Sequence, residues 1–360
     1  MREFILTVIV LLAFGPTHSF AVGSEDSAAG NNSSSVYASE LSALRPISRD
    51  REGITELAGR DGFKVYAGNP ILSPGKPGEW DAGAIGSVTV AIVDGVYHMY
   101  YEAWGRPDSN PDDVDYATLQ IGHAVSLDGV HWAKDPANPV VLKGAAGEWD
   151  AKGTWDPFVI YENGVFKLWY GGGIHPACDW GYAESNDGRS FVKRGQISHL
   201  HHVEDDHVVH DAEADRYYMY YWDRQHEPHG LFRAESRDEI NFNFAHPIPL
   251  TINGDTEHAM NKFTHVVREK DKWFMLYADF VRPNCAESNT RLAVSDDGVH
   301  WRSVNRNLFE GHDSDVLRVG DSLYLAYFGP RGHFDQMDSD VRLAIYEGNL
   351  SNLLKDEQND

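Results

Sequence analysis

The chain has 360 residues, of which 42% are hydrophobic and 12% aromatic, enough to bury a sizeable core. Its formal net charge is −24, which argues against nucleic acid or an anionic membrane as partner. An anionic ligand would need a local basic pocket.

Residues 1–21 read as a secretory signal peptide. Arg2 supplies the charged start, residues 4–14 the apolar core, and Ser19-Phe20-Ala21 the small residues of a cleavage site. The apolar run is about half the length that crosses a bilayer. The expected localisation is therefore secreted or periplasmic. Residues 22–58 begin rich in Ser, Asn and Gly and read as a flexible leader. Export permits a disulfide between Cys178 and Cys285; two separate thiols are the alternative.

From there the chain repeats itself. GEWDAKGTWDPFVIYENGVFKLWY, residues 147–170, reads as a loop, a strand, an Asn-Gly turn and a return strand. Matching hairpins start at Gly78, Glu204, Asn261 and His312, the third with one extra turn residue. A second hairpin follows the first four, clearest in IGHAVSLDGVHW (121–132) and LAVSDDGVHW (292–301). Four strands per repeat is a propeller blade. The fifth repeat lacks its last strand after residue 348. The missing strand lies at the other end: residues 61–65 followed by Asn69-Pro70 mirror residues 128–132 followed by Asn138-Pro139. The pattern predicts an all-β fold, a five-bladed β-propeller over residues 59–354. An N-terminal strand at about 61–66 completes its last blade, and 355–360 form a tail.

In such a fold the first strand of each blade lines the channel. Asp156, Ser87, Asp206, Phe263 and Asp313 align at the heads of these strands, with Glu204 and Asp205 just before Asp206. Carboxyls gathered at one channel end repel one another unless solvated, paired or used. That is where one carboxyl stays protonated as an acid while another stays ionised as a base. Trp155, His207 and His312 adjoin these acids, and an aromatic face suits a sugar ring. The loops between second and third strands open on the same face and carry Arg224, Arg282 and Arg331. These suit a carboxylate or sulfate on the ligand, or pair with nearby acids. Asp81 and Asp150 recur in matching GEWDA pieces, which points to a structural cap or turn. The histidines near Glu204 match no zinc pattern. No metal or cofactor is required; a structural cation in the channel is the alternative.

These repeated hairpins, the AxSxDGxxW pieces and Trp155-Asp156-Pro157 at the head of blade 2 resemble the five-bladed propeller glycosidases. That superfamily holds arabinanases, β-xylosidases, invertases and levansucrases, of the glycoside hydrolase family 43 and 32 type. The resemblance implies that acids heading blades 1, 2 and 3 do the chemistry. Asp156 then positions substrate and tunes the acid, while Glu204, Asp205 or Asp206 is the general acid. Ser87 stands where the superfamily places its base or nucleophile, leaving Asp81, Asp156 or Asp313 for that task. A histidine acid, known among related propellers, keeps His207, His258 and His312 as candidates. The expected function is a secreted glycosidase acting on a polysaccharide or oligosaccharide, uronic or sulfated if the rim arginines read charge. Its partner is carbohydrate, with neither nucleic acid nor membrane. A non-catalytic carbohydrate-binding propeller, or a phosphorylase or transglycosylase on the same fold, is the alternative.

Overall fold

The computed structural model describes residues 51–358 except 106–114, 175–176, 202, 224–229, 255–260, 282–286 and 331–338. The expected signal peptide, residues 1–21, and the expected leader as far as residue 50 lie outside the described residues, as do His258, Arg224, Arg282, Arg331 and Cys285.

Local turn chemistry sets the hairpins. Asp94-Gly95 (φ 50° and 80°) and Asn163-Gly164 (φ 53° and 82°) place two consecutive residues in left-handed backbone. Two-residue turns of that kind match the twist of the strands they join. The outer hairpins use a Ser-x-Asp turn. Ser126 Oγ accepts the N–H groups of Asp128 and Gly129, and Asp128 Oδ1 accepts those of Val130 and His131. Ser185 with Asp187, Ser236 with Asp238 and Ser295 with Asp297 repeat it. The SxDG pieces are thus turn architecture.

A short helix α1 (Arg51–Thr55) precedes β1 (Lys64–Val65). Blade 1 is β2 (Ala84–Val93), β3 (Val96–Gly105), β4 (Asp115–Ser126) and β5 (Ala133–Lys134). Blade 2 is β6 (Thr154–Glu162), β7 (Val165–Ile174), β8 (Ala177–Ser185) and β9 (Val192–Gln196). Blade 3 is β10 (Val203–Asp211), β11 (Arg216–Asp223), β12 (Gly230–Ser236) and β13 (Ile248–Pro249). Then β14 (Thr251–Ile252) pairs in parallel with the outer strand of blade 4. That blade is β15 (Asn261–Glu269), β16 (Lys272–Val281), β17 (Glu287–Ser295) and β18 (His300–Glu310). Blade 5 is β19 (His312–Val319), β20 (Leu323–Gly329), β21 (Arg342–Glu347) and β1. A 3-10 helix, Leu350–Gln358, follows.

The inner strands close a ring, β2 against β6, β6 against β10, β10 against β15, β15 against β19, and β19 against β2. The fold is a five-bladed propeller, and β1 completes blade 5 with Lys64 opposite Ile345 and Val65 opposite Ala344. The mirrored sequence signals fold alike. Asn69 accepts the N–H of Leu343 (2.8 Å) and donates to its carbonyl (3.0 Å). Asn138 does the same with His123, at 2.7 and 2.9 Å. Both asparagines precede a cis proline.

The core lies between blades. Tyr101, Tyr170, Tyr221, Tyr277 and Phe328 hold corresponding places on the five second strands and are all buried. Each removes on the order of 150–250 Å² from water.

Candidate active site

The site is built on an irregularity repeated in every inner strand. Each ladder between first and second strands slips by one residue near its open end. Two inner residues there face one partner: Gly86-Ser87, Asp156-Pro157, Asp205-Asp206, Phe263-Thr264 and Asp313-Ser314. Such bulges bend the strand and re-aim its side chains. Asp156 (φ 41°) and Asp313 (φ 50°) adopt left-handed backbone there, uncommon for a residue with a side chain. Asp tolerates that conformation better than most, and strain of this kind gathers at functional sites.

Just beneath the bulges, one residue per blade reaches toward its neighbour. Thr89 Oγ1 accepts the N–H of Val159 (3.3 Å), His207 Nε2 donates to the carbonyl of Val266 (2.9 Å), and Asp315 Oδ2 accepts the N–H of Val90 (2.8 Å). His265 Nδ1 lies 2.9 Å from Asp315 Oδ1, and the Phe158 ring is 4.2 Å from that of His207. All five side chains are buried and form the channel floor. Two residues earlier, toward the mouth, stand Ser87, Asp156, Asp205, Phe263 and Asp313.

This frame corrects one sequence alignment. Asp205, not Asp206, occupies the place equivalent to Asp156. The turn joining β10 to β11 holds four residues (212–215), because Asp211 pairs with Arg216. Blades 1 and 2 have two, since Val93 pairs with Val96 and Glu162 with Val165. The third repeat therefore carries two extra turn residues rather than one. The backbone of Asp205 and Asp206 is described; Glu204 is partly buried, one place before the bulge.

Blade 1 supplies an acid the strand heads do not show. Glu102 stands on β3, directly opposite its bulge. Its carboxylate lies over Gly86, where an added Cβ would come within 1.9 Å of Oε1. In blades 2 and 5 the sizes are exchanged between the strands. In blade 2 the Trp155 ring lies over Gly171 of β7, and in blade 5 His312 lies against Gly329 of β20. The swap brings Glu102 to the blade 2 boundary, where Oε2 accepts the N–H of Asp156 at 2.8 Å. Ser87 Oγ donates to Asp156 Oδ1.

Glu102 and Asp156 thus meet, and Asp313 lies near enough for its charge to act on Glu102. Burial pushes Glu102 well above the usual carboxylate range, and the charges of Asp156 and Asp313 push it further. The N–H groups of Asp156 and Ser87 pull the other way and only partly offset this. Glu102 and Asp156 are each partly rather than fully buried as whole residues. Asp313 is held by His312, whose Nδ1 lies 2.8 Å from Oδ2, while its buried Oδ1 has no hydrogen-bond partner among the described residues.

The other candidates fall elsewhere. Trp155 donates Nε1–H to the carbonyl of Gly173 (3.0 Å) and packs on Trp180. His207 belongs to the floor, where burial and then His265 keep it well below its ordinary pKa, hence neutral. Asp81 contacts Lys134 on the outermost strand at 2.5 Å and Tyr101 at 3.3 Å. Asp150 repeats this with Lys193 at 2.5 Å and Tyr170 at 3.1 Å. These matched contacts tie an entry loop to its blade and set Asp81 apart from the channel mouth. Among the described residues, no three His, Cys, Asp or Glu side chains are grouped as metal ligands. Cys178 is buried on β8 opposite Gly173.

No family model matches the chain. It is 24% identical over 286 residues to the uncharacterized protein Rv1502 of Mycobacterium tuberculosis, covering 78% of this chain and 72% of that protein. Solved structures are similar in fold. The β-1,2-mannobiose phosphorylase of Listeria innocua aligns with TM-score 0.63 and 14% identity, over 81% of this chain and 98% of its own. A glycosyl hydrolase from Bacteroides ovatus gives 0.60 and 16%, over 80% and 94%. A family 117 glycoside hydrolase of Zobellia galactanivorans gives 0.59 and 13%, over 82% and 92%. At these identities the likeness is one of fold. What they share with this chain is the five-bladed propeller fold.

Proposed function

We propose that the protein cleaves a glycosidic bond at the bulged end of its channel. The observation that carries this is the hydrogen bond between Asp156 and the Glu102 carboxyl, with Asp313 near enough for its charge to act on Glu102. Glycoside cleavage asks for such a pair: an acid for the leaving oxygen, and an ionised carboxylate on the anomeric side. The chain supplies both, so the reaction needs no cofactor. A secreted or periplasmic enzyme acting on an oligosaccharide or polysaccharide fits the N-terminal sequence. Arg224, Arg282 and Arg331 extend the proposal to uronic or sulfated sugars.

Phosphorolysis is the second reading. Blade 1 has Ser87 rather than an acid on its inner strand, and a phosphorylase needs no protein nucleophile because phosphate attacks instead. The mannobiose phosphorylase fold match supports it.

The test is release of sugar from a broad glycoside panel, with and without phosphate, by the full chain and by Asp156→Asn and Asp313→Asn. Release by wild type and not by the variants supports the site. Equal release by all three places the chemistry elsewhere. Release that depends on phosphate selects the second reading.

A further inference from the structure

We propose that Glu102 is the proton donor of this site, delivered from the second strand of blade 1 through the space left by Gly86. The assignment rests on the glycosidic reading above. It names a residue that an alignment of inner strands passes over, because the acid and the glycine have exchanged strands.

Four observations support it. The ladder slip in blade 1 lies opposite Glu102, whereas in blades 2 to 5 it lies opposite the buried aromatic at the Tyr101 place. Blade 1 has moved its bulge one step toward the mouth, to the level of Glu102. The missing Cβ of Gly86 leaves the volume that the carboxyl fills. The N–H of Asp156 fixes one carboxyl oxygen, so the group is aimed before substrate arrives. Finally, Asp156 and Asp313 oppose a further negative charge beside them, which favours a bound proton on Glu102.

In the step itself, the Glu102 carboxyl gives its proton to the glycosidic oxygen. The bond from that oxygen to the anomeric carbon breaks, and its electron pair stays on the oxygen. Water adds to the anomeric carbon from the side of Asp156 and Asp313, one of which takes the water proton. Proton exchange with solvent then restores both carboxyls. With phosphate as the attacking group the first half is unchanged.

The experiment has two arms. In the first, wild type and Glu102→Gln are assayed on glycosides with sugar leaving groups and on the matching dinitrophenyl glycosides, which leave without protonation. The expected loss in Glu102→Gln is about 10²–10⁴-fold on the former and less than about tenfold on the latter. Equal losses on both substrates, or none, overturn the assignment. In the second arm, difference infrared spectroscopy of glutamate-labelled protein at neutral pH reads the protonated carboxyl directly, without substrate. A protonated-glutamate band in wild type that disappears in Glu102→Gln supports the proposal, and its absence from wild type overturns it. A wild type inert on every glycoside would sink the functional reading and this role together. An active wild type matched by Glu102→Gln would sink this role alone.

Discussion

The N–H of Asp156 donates to Glu102 Oε2 at 2.8 Å, joining blade 2 to blade 1 at the mouth of the channel. The bond couples the backbone of one acid to the side chain of another. It lies on the same level as the left-handed backbone of Asp156 and the hydroxyl of Ser87. Chemistry at this point depends on geometry from two blades at once, so substitutions that shift either blade should act on rate before they act on stability.

Gly86→Ala tests that geometry most simply. The added methyl group meets the Glu102 carboxyl and must displace it. The expected result is a fall in kcat/KM of about 10²-fold or more, with a smaller change in Tm because the group displaced is the far end of a flexible side chain. Full activity in this variant would show that Glu102 need not occupy that space.

Stability should carry the mark of the raised Glu102 carboxyl. A folded-state pKa above the unfolded value favours folding fully below the ordinary carboxylate range, and that contribution is lost as pH rises through the folded pKa. Glu102→Gln, which keeps the shape and cannot ionise, should therefore gain Tm relative to wild type as pH rises. A thermal unfolding series at several pH values measures this. A gain confined to acid pH would contradict it.

A second buried network has the opposite sign. Asp135 accepts from Arg189 Nε and Nη2, both at 2.6 Å, and lies 3.0 Å from His123 Nδ1. His123 Nε2 in turn lies 3.1 Å from His98 Nδ1. With Asp135 ionised, each histidine donates toward it and both stay neutral. Burial, then the neighbouring His123, lowers His98 to about 4. Its contribution to stability is thus complete above 6.5 and is lost as pH falls toward 4. Wild-type Tm should drop across that window, and His98→Gln should flatten the drop.

Arg189 reaches Asp135 from the next blade, so it also ties blades 1 and 2. Arg189→Ala leaves the fully buried Asp135 side chain short of its cation and should cost about 3 kcal/mol. Chemical denaturation would measure it. A change below about 1 kcal/mol would mean that the His123 contact alone suffices.

Ring closure rests on few bonds. Asn69→Ala removes both side-chain bonds to Leu343 and leaves a buried N–H and C=O less well paired. A loss of about 1–3 kcal/mol is expected, in one cooperative transition. A separate early transition confined to blade 5 would show that β1 closes the ring only loosely.

The blades were legible because each is a local event. Asp-Gly and Asn-Gly turns, Ser-x-Asp turns and alternating strands all declare themselves within a dozen residues. Even the closing strand could be read, since Asn69-Pro70 copies Asn138-Pro139. The acids were legible in part. Asp156 and Asp313 stand where alignment of the inner strands puts them, while in blade 3 that place falls to Asp205 rather than Asp206 because the turn there holds four residues. Glu102 was hidden for a physical reason. It reaches the site from a second strand, across a glycine on the first, and only the register of the bulges brings the two together. A signal was present. At that place the other second strands carry Gly171, Trp222, Ala278 and Gly329, so Glu102 is the one acid of the five. Asp81, one of three candidate bases in the sequence, forms its salt bridge outward to Lys134.

The most direct measurement is kcat/KM for glycoside cleavage by wild type and by Asp156→Asn, with Tm recorded for both. Cleavage by the wild type, reduced by about 10²-fold or more in the variant at nearly unchanged Tm, is the result expected if the three carboxyls are the active site. Equal rates in the two proteins would contradict it.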